Sequence, residues 1–462
     1  MPVSFLILCT LLLCLAFVEA RLNFASNSDV GNDRNVKPKD ATCSETPSAK
    51  TKVDFPESLA GRSIASSFDM YTGYINVTDT PDYLFYWFFA AQNGDENAPL
   101  VIWTNGGPGC SSMEGASTEN TPLTLFDIKE SCSSDQCDYS GQLSTNPYGW
   151  NARANVLYID QPRYVGFSFG YGDYVTSSTD AGEDFVTFLT SWLDYFPEFK
   201  GRETIISGES YGGHYVPAMA DAVMNYNEAL SESSSQINLA GLFIGNGCVN
   251  NTVQNGDTYI DFLHAQKLIP DDATPRNEAT AEAMMIKHIG YSPNYYDYRL
   301  ESVSCSGCYG YNYSAWADWF LRDDVKEALG ICGKSGDDAF SGSAGGCISI
   351  PGFDSHDQFD YSGALGRALD SGIPVTLLYG KADTACNYVG GYSMANTISW
   401  KGTQDFANTA LQPLLLLGSQ IGSTKTFGGL SWLEIESAGH MVPIDQPVGA
   451  LLGLNTILDL YI

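Results

Sequence analysis

The sequence predicts an α/β fold in which a mostly parallel central sheet carries helices on both faces. Two observations predict it: short continuous apolar runs recur along the chain, and helical patterns separate them. Continuous apolar runs are typical of strands that are covered on both faces. Their alternation with helical patterns indicates parallel strands joined by helices. The predicted strands are residues 84–90, 100–103, 156–159, 204–207, 242–244, 375–379 and 432–435.

The clearest helical pattern lies between the predicted strands 156–159 and 204–207. Its apolar residues recur every three or four positions, which is the spacing of one helix face. They are Phe185, Phe188, Leu189, Trp192, Leu193 and Phe196.

Ser210 stands at a strand-to-helix turn that is typical of a catalytic nucleophile. It is the centre of Gly208-Glu209-Ser210-Tyr211-Gly212, which follows the predicted strand 204–207 and precedes helical spacing over 215–226. In such an elbow the flanking glycines relieve crowding, and the serine hydroxyl points out above the sheet. We therefore expect Ser210 to be the nucleophile.

A second G-x-S-x-G match is centred on Ser168. Pro162 separates it from the predicted strand 156–159, and a Gly/Asp/Ser/Thr-rich stretch follows it instead of a helical pattern. Because the strand-turn-helix context is missing, we interpret Ser168 as part of a packed loop near the site.

The chain divides into four predicted regions. Residues 1–20 indicate a cleaved secretory signal, because the apolar run 5–17 is too short for a membrane span, with an anchoring helix as the alternative. Residues 21–51 are predicted to be a polar tail or short pro-segment. Residues 52–246 and 316–462 form the predicted core. Residues 247–315 are predicted to be an inserted cap over the catalytic end of the sheet, with a surface excursion as the alternative.

Composition limits the possible partners. The formal net charge of −31 disfavours nucleic acids and anionic membranes. No segment after the signal approaches the length of a membrane span. Ten of the twelve cysteines lie outside the signal, and in an oxidising compartment most should form disulfides. Cys132 and Cys137 are close enough in sequence to pair locally.

Two further patterns concern metals and glycans. Cys305 and Cys308 have zinc-like spacing, but the chain has no matching second pair and few histidines, so we predict disulfides and no metal or organic cofactor. Glycosylation sequons begin at Asn76, Asn250 and Asn312. We expect at least one of them to carry a glycan.

A nucleophilic serine needs a base and a group that orients the base. His440 follows the last predicted strand, and the carboxyl ends of parallel strands are where catalytic residues collect. We therefore expect His440 to be the base. The four other histidines are His214, His264, His288 and His356. Of these, His214 lies one turn past Ser210 and is expected to be structural.

Asp383 is the expected orienting acid. It follows the predicted strand 375–379 and lies between Ser210 and His440 in the chain, which gives the order Ser, Asp, His. Asp445 is the alternative, although it comes after the histidine. In either case the acid would accept from one imidazole nitrogen and leave the other to take the serine proton.

An oxyanion hole requires two backbone N–H groups that converge on one point. Tyr211, the residue after the nucleophile, is expected to supply one. The glycine-rich loop 105–110 follows the predicted strand 100–103, and from this loop we expect the N–H of Gly107 to be the second donor.

Taken together, these blocks resemble the serine carboxypeptidase family of the vacuolar and lysosomal type, which has the α/β-hydrolase fold. The resemblance extends from about residue 52 to the end and is thin over the insertion. Four blocks carry it, at residues 105–112, at 160–162 with 166–168, at 208–217, and at 439–443 with 445–447.

The resemblance implies a site for the terminal carboxylate of a peptide substrate, formed by Asn105, Gly106, Glu119 and Glu209. Glu114 is a rival for the position of Glu119. Two adjacent carboxyls cannot both ionise without a large cost, so one of them stays protonated into mildly acidic pH. That neutral acid can donate to the substrate carboxylate. Specificity for the terminal residue and an acidic pH optimum would then share one cause.

The resemblance also bears on cysteines and on pocket shape. Cys386 matches a free thiol near the family's binding pocket, with a bridged cysteine as the alternative. Cys110 resembles a cysteine that is bridged toward the end of the insertion, with Cys347 as its best partner. Two places depart from the family pattern. Arg163-Tyr164 replace small or aliphatic residues, and Lys381 stands where an acidic residue is common.

The resemblance therefore implies a peptidase that acts on the C-termini of peptides or proteins. It would work in a lysosome or vacuole or after secretion. The alternatives are an acyltransferase with the same triad and a non-catalytic binding or protective protein. The sequence gives neither the preferred side chain nor the oligomeric state.

Overall fold

The computed structural model describes residues 46–55, 59, 68–125, 143–231, 236–302, 313–332 and 346–461. The predicted signal and most of the polar tail lie outside these ranges. So do the predicted Cys132–Cys137 pair and the sequon at Asn312.

The strands of the described chain form one large sheet and one small one. The large sheet has eleven strands in the order β1-β2-β3-β7-β4-β8-β9-β10-β13-β12-β11, and β5 and β6 pair separately. The strands are β1 (Thr51–Lys52), β2 (Met70–Asn76), β3 (Tyr83–Phe89), β4 (Leu100–Thr104), β5 (Leu123–Thr124), β6 (Ser144–Thr145), β7 (Asn155–Ile159), β8 (Thr204–Glu209), β9 (Leu239–Gly245), β10 (Val375–Gly380), β11 (Gln412–Leu416), β12 (Ser419–Phe427) and β13 (Leu430–Ile435).

The centre of the large sheet is parallel, as predicted. Strands β7, β4, β8, β9, β10 and β13 pair in parallel, and the strands on either side of them pair antiparallel. All residues of β4, β7, β8, β10 and β13 are buried, which explains their continuous apolar sequences. Because these strands run in the same direction, the loops at their carboxyl ends meet along one edge.

Helices cover both faces of the sheet. Two separate apolar cores result, one on each face. The described helices are α1 (Gly115–Thr118), α2 (Ser178–Tyr195), α3 (Gly212–Ala229), α4 (Asn251–Gln254), α5 (Asp257–Ala265), α6 (Glu278–Ile289), α7 (Tyr313–Phe320), α8 (Asp323–Ala328), α9 (Phe353–His356), α10 (Ser362–Asp370), α11 (Tyr388–Thr397), α12 (Thr403–Asn408), α13 (Val442–Asp445) and α14 (Pro447–Tyr461). Among these fourteen helices, none is long and apolar enough to cross a membrane.

Each of the seven predicted strands overlaps an observed one. The prediction missed β2, whose sequence mixes Thr72 and Gly73 into an apolar run. It also missed the edge hairpin of β11 and β12, whose residues are mostly exposed or half-buried and include many polar side chains.

The segment predicted to be an inserted cap, residues 247–315, contains α4, α5, α6 and the first residues of α7. Helices α5 and α6 share a small core of their own, which includes Phe262 and Met285. The extended backbone of Arg322 separates α7 from α8. Trp316 and Trp319 then pack into the core on one face of the main sheet.

Candidate active site

Ser210 occupies a strained turn between β8 and α3. Its φ is 59°, a left-handed conformation that a residue with a Cβ adopts only when its surroundings enforce it. Its backbone N–H donates to the Gly245 carbonyl at 3.1 Å, and its carbonyl accepts from the N–H of Gly213 at 2.9 Å. A Cβ on Gly208 would lie 2.7 Å from the Thr104 carbonyl oxygen. Ser210 therefore lies on a tight strand-to-helix turn, the geometry expected of a nucleophile elbow.

His440 and Asp383 form a buried pair. Nδ1 of His440 lies 2.7 Å from Oδ2 of Asp383, and the two residues are 3% and 0% exposed. The carboxylate accepts three further hydrogen bonds, from Asn246 Nδ2 at 2.8 Å and from the backbone N–H groups of Ala385 at 2.8 Å and Cys386 at 3.2 Å. An acid in this position accepts from Nδ1 of the imidazole and so orients the ring.

The second imidazole nitrogen is left for proton transfer. Nε2 of His440 is buried and has no hydrogen-bond partner among the described residues. No hydrogen bond joins it to Ser210 Oγ in the described structure. Catalytic hydrogen bonds are often long without substrate and tighten when substrate binds.

Tyr296, which follows α6, contacts His440 directly. The carbonyl of Tyr296 accepts from the backbone N–H of His440 at 2.8 Å. The Tyr296 ring stacks on the imidazole, with centroids 4.5 Å apart and planes 10° apart. Asp445, the alternative acid, instead accepts from the N–H of Gly439 and lies 3.4 Å from Arg299. It holds the loop before His440, and Asp383 is the acid that contacts the imidazole.

The glycine-rich loop after β4 lies against the elbow. A Cβ on Gly106 would lie 2.4 Å from the Tyr211 nitrogen, so only glycine fits there. Gly107 has a φ of 113°, which also favours glycine. Neither the N–H of Gly107 nor that of Tyr211 donates to another residue in the part of the chain that the structure describes. Both donors are thus available beside the serine.

Asn105 bridges two buried carboxyl groups next to the elbow. Its Nδ2 donates to Glu119 Oε1 at 2.9 Å and to Glu209 Oε1 at 3.1 Å. Its Oδ1 accepts from Trp103 Nε1 at 2.8 Å and from the Gly115 N–H at 3.2 Å. Since the amide oxygen is occupied by two donors, the amide nitrogen must face the carboxyls.

The pKa values of both carboxyl groups are raised. Burial raises the pKa of Glu119. Burial, followed by the charges of Glu119 and Glu114, raises the pKa of Glu209 well above its ordinary value. Glu209 therefore holds a proton at acidic pH. Of the two rivals, Glu119 is the one that contacts Asn105, whereas Glu114 acts on Glu209 through its charge.

The other polar candidates have structural contacts. Ser168 Oγ donates to the Asp160 carbonyl at 2.6 Å and accepts from the Phe85 N–H at 2.8 Å, so it braces a buried loop. Nδ1 of His214 lies 3.3 Å from Asp357 Oδ2, so His214 does not contact Asp383.

The departures at Arg163 and Tyr164 also form structural contacts. The guanidinium of Arg163 binds both carboxylate oxygens of Asp184, at 2.6 and 3.0 Å. Tyr164 donates to the Gly172 carbonyl at 2.6 Å. Both side chains tie the loop after β7 to its neighbours.

One disulfide prediction is confirmed, and for Cys386 the structure supports the alternative of a bridged cysteine over the free thiol. Cys110 pairs with Cys347, as the resemblance implied. Cys386, expected to be a free thiol, pairs with Cys248. The reason is topological: Cys248 follows β9, Cys386 follows β10, and these strands are parallel neighbours whose carboxyl ends meet.

Sequence reasoning missed three residues that touch the site or its support. Asn246 follows β9 and binds Asp383; its position after a predicted strand was a usable signal. Tyr296 and Asp357 lie far from the motifs in sequence, and their local patterns are those of ordinary loops. Only the fold brings them close.

The chain was compared with known proteins. It matches the serine carboxypeptidase family over residues 61–459. It is 31% identical to carboxypeptidase Y homolog A of Fusarium vanettenii, covering 82% of this chain and 71% of that one. It is 32% identical to carboxypeptidase Y homolog A of Botryotinia fuckeliana, covering 85% and 73%.

The fold agrees with this match. The chain superposes on Kex1(delta)p, a prohormone-processing carboxypeptidase from Saccharomyces cerevisiae, with a TM-score of 0.69 at 24% identity, covering 88% of this chain and 95% of that one. The predicted α/β-hydrolase fold is confirmed. Because the family match spans most of the chain and its relatives exceed 30% identity over more than four-fifths of it, the chain belongs to the serine carboxypeptidase family of hydrolases.

Proposed function

We propose that this chain removes the C-terminal residue from peptides through an acyl-enzyme on Ser210, with Asp383 and His440 completing the triad. The observation that carries the proposal is the pair of buried carboxyls bridged by Asn105, one of which directly precedes Ser210 in the chain. A general esterase has no need of such a pair. A peptidase that reads a terminal carboxylate does.

In acylation, Ser210 Oγ attacks the carbonyl carbon of the last peptide bond while His440 Nε2 takes its proton. Asp383 stabilises the imidazolium that forms. The carbonyl oxygen becomes an oxyanion, which the N–H groups of Gly107 and Tyr211 stabilise. His440 then returns the proton to the leaving amine, and the terminal amino acid departs. Water, deprotonated by His440, attacks the acyl-enzyme and restores the serine.

Substrate recognition uses the carboxyl pair. Asn105 Nδ2, the backbone N–H of Gly106 and protonated Glu209 are the proposed donors to the substrate carboxylate, and Glu119 is the partner that keeps the proton on Glu209. As pH rises through the raised pKa of Glu209, a second negative charge appears at the site and repels the substrate. Affinity is therefore highest at acidic pH.

The test is an N-blocked dipeptide assay from about pH 4 to about pH 8, the range in which a raised carboxyl and an imidazole titrate. Release of the terminal amino acid that Ser210→Ala abolishes supports the peptidase. Glu209→Gln should keep activity with a KM that no longer rises with pH, and an unchanged profile would refute the carboxyl-pair mechanism. Product that forms only with an added alcohol would indicate an acyltransferase, and no turnover would indicate a binding protein.

We also propose that the protein passes through the secretory pathway. The Cys110–Cys347 and Cys248–Cys386 disulfides suit an oxidising compartment. Asn76 is exposed and is the better described glycan acceptor, since Asn250 is 9% exposed and caps α4. Expression in a eukaryotic cell should give a glycoprotein whose mass falls after Asn76→Gln. Whether it ends in a lysosome or vacuole or outside the cell follows from fractionation.

A further inference from the structure

A single buried carboxylate lies behind the nucleophile elbow. The side chain of Asp357 is 3% exposed. Its Oδ2 accepts from Tyr211 Oη at 2.6 Å, from Ser178 Oγ at 2.7 Å and from His214 Nδ1 at 3.3 Å. Its Oδ1 accepts from Tyr361 Oη at 2.5 Å and from the Ser178 N–H at 2.8 Å. These five residues are called the Asp357 cluster.

The cluster joins four separate segments of the chain. Ser178 begins α2, Tyr211 and His214 belong to the elbow and α3, Tyr361 precedes α10, and Asp357 follows α9. Burial opposes ionisation of Asp357, but the hydrogen bonds from its four partners outweigh burial and hold its pKa well below the ordinary value. The carboxylate is therefore charged throughout the working range of an acidic peptidase.

Tyr211 is the member of the Asp357 cluster that also belongs to the proposed oxyanion hole. Its hydroxyl donates to Asp357, whereas its backbone N–H donates to no other described residue. A Cβ on Gly106 would lie 2.4 Å from the same nitrogen and 2.7 Å from Ser210 Cβ, so the glycine-rich loop lies close to this peptide. The ring also packs on His214, with centroids 4.3 Å apart, and on Phe353 at 5.9 Å. A residue held at both ends has little freedom to tilt its peptide plane.

We propose that the Asp357 carboxylate is a positioning residue for the oxyanion hole, because it holds the Tyr211 hydroxyl and so fixes the direction of the Tyr211 N–H. This inference rests on the proposed function, in which that N–H stabilises the oxyanion of acyl transfer. The hydrogen bond from the Tyr211 hydroxyl to Asp357 should affect the transition state, because an N–H directed at the oxyanion stabilises it most when the negative charge has developed. It should not change the affinity for the peptide in the ground state.

The cluster supplies its own matched control. Tyr211→Phe and Tyr361→Phe each remove one hydroxyl from the same carboxylate, at similar distances. Tyr361 lies outside the elbow, and Oδ1 keeps the Ser178 N–H when the Tyr361 hydroxyl is gone. A merely structural role for the cluster predicts similar effects from the two variants. The positioning role predicts a kinetic effect from Tyr211→Phe alone.

The experiment measures kcat and KM with an N-blocked dipeptide, and the affinities of two inhibitors. An N-blocked amino aldehyde forms a hemiacetal with the nucleophile, whose oxygen enters the oxyanion hole. The matching N-blocked amino acid is the product and has no such oxygen. Enzyme concentration is set by active-site titration with a phosphonofluoridate, so that misfolded protein is not counted.

Removal of a whole oxyanion donor typically costs about a hundredfold to a thousandfold in kcat, so a misdirected donor should cost about tenfold. Tyr211→Phe should lower kcat and aldehyde affinity by the same factor, about tenfold, with KM and product affinity unchanged. Tyr361→Phe should stay within about twofold of wild type. Asp357→Asn, which keeps the shape but weakens the acceptor, should follow Tyr211→Phe and serves if that variant folds poorly.

Equal kinetic effects of the two tyrosine variants would overturn the inference, as would a loss of product affinity equal to the loss of aldehyde affinity. Failure of the proposed function looks different, because the wild type would then show no turnover of the dipeptide, or Ser210→Ala would keep the activity. If Ser210→Ala is inactive and the tyrosine variants behave alike, the triad stands and only the positioning role is lost.

Discussion

Asn246 donates from Nδ2 to Oδ2 of Asp383 at 2.8 Å, and the same carboxylate oxygen lies 2.7 Å from the imidazole of His440. The amide is held in turn, because its own Oδ1 accepts from the Gly380 N–H at 2.9 Å. The carboxylate proposed to orient His440 is therefore held in position itself, by a residue that directly follows the neighbouring strand β9.

Asn246→Asp should lower kcat by about tenfold to a hundredfold, because a hydrogen bond to a charged group is worth about 1.5–3 kcal/mol. The variant also places a second carboxyl beside Asp383. Asn387→Ala is the matched control. It removes a buried asparagine that caps α11 in the same region without contacting the triad. Steady-state kinetics should show a loss only in Asn246→Asp; equal losses would reduce Asn246 to a general stability role.

The stacked tyrosine gives a second prediction. Tyr296→Ala should lower kcat by about tenfold, because the ring that stacks on the His440 imidazole is lost. Tyr296→Phe keeps the ring and should keep nearly full activity. The neighbouring Tyr295 is 45% exposed, so Tyr295→Ala is the control for disturbing this loop. Kinetics near the pH optimum decide the matter. A large loss in Tyr295→Ala would mean that the loop, and not the stacking, matters.

The Glu209 carboxyl should leave a signature in folding stability. Its pKa in the folded chain is raised well above 4.5. A carboxyl with a raised folded-state pKa favours the folded state at low pH, and this contribution disappears as pH rises from the ordinary value toward the raised one. The free energy of unfolding of Glu209→Gln, relative to wild type, should therefore increase with pH.

Urea unfolding near pH 4.5 and near pH 7.5 measures this difference. Glu96→Gln is the control, because Glu96 lies on an exposed turn before β4. A wild-type and Glu209→Gln difference that is the same at both pH values would contradict the raised pKa.

The Cys248–Cys386 disulfide joins the segment that contacts Ser210 to the segment that contacts Asp383. The backbone N–H of Cys248 donates to the Ser210 carbonyl at 3.0 Å, and that of Cys386 donates to Asp383 at 3.2 Å. The Cys248→Ser/Cys386→Ser double variant should lose about 2–4 kcal/mol of stability and part of its kcat. Alkylation of the unreduced native protein followed by mass spectrometry should find no label on Cys386. Label on Cys386 would show that this cysteine is a free thiol, as the family resemblance implied, and would contradict the disulfide.

The proposed nucleophile and its two proposed partners could be located in the sequence because each follows a strand that is recognisable on its own. Ser210, Asp383 and His440 come directly after buried apolar runs, and parallel strands bring their carboxyl ends to one edge. The site geometry adds that Asp383, and not Asp445, contacts the imidazole.

What could not be predicted depends on contacts between segments distant in sequence. Cys386 pairs with Cys248 because β9 and β10 are neighbours, which no local spacing reveals. Tyr296 and Asp357 reach the site from loops whose own sequences favour no particular role. The edge strands β11 and β12 were not predicted, because exposed strands lack the continuous apolar sequence of central strands.

The most direct measurement is rapid acid quenching of the enzyme during turnover of an N-blocked amino acid ester, followed by mass spectrometry of the digested chain. The proposed mechanism predicts an added acyl group on the fragment that contains Ser210, absent from Ser210→Ala and strongly reduced in His440→Ala. Turnover with no adduct, or an adduct on Ser168, would contradict it.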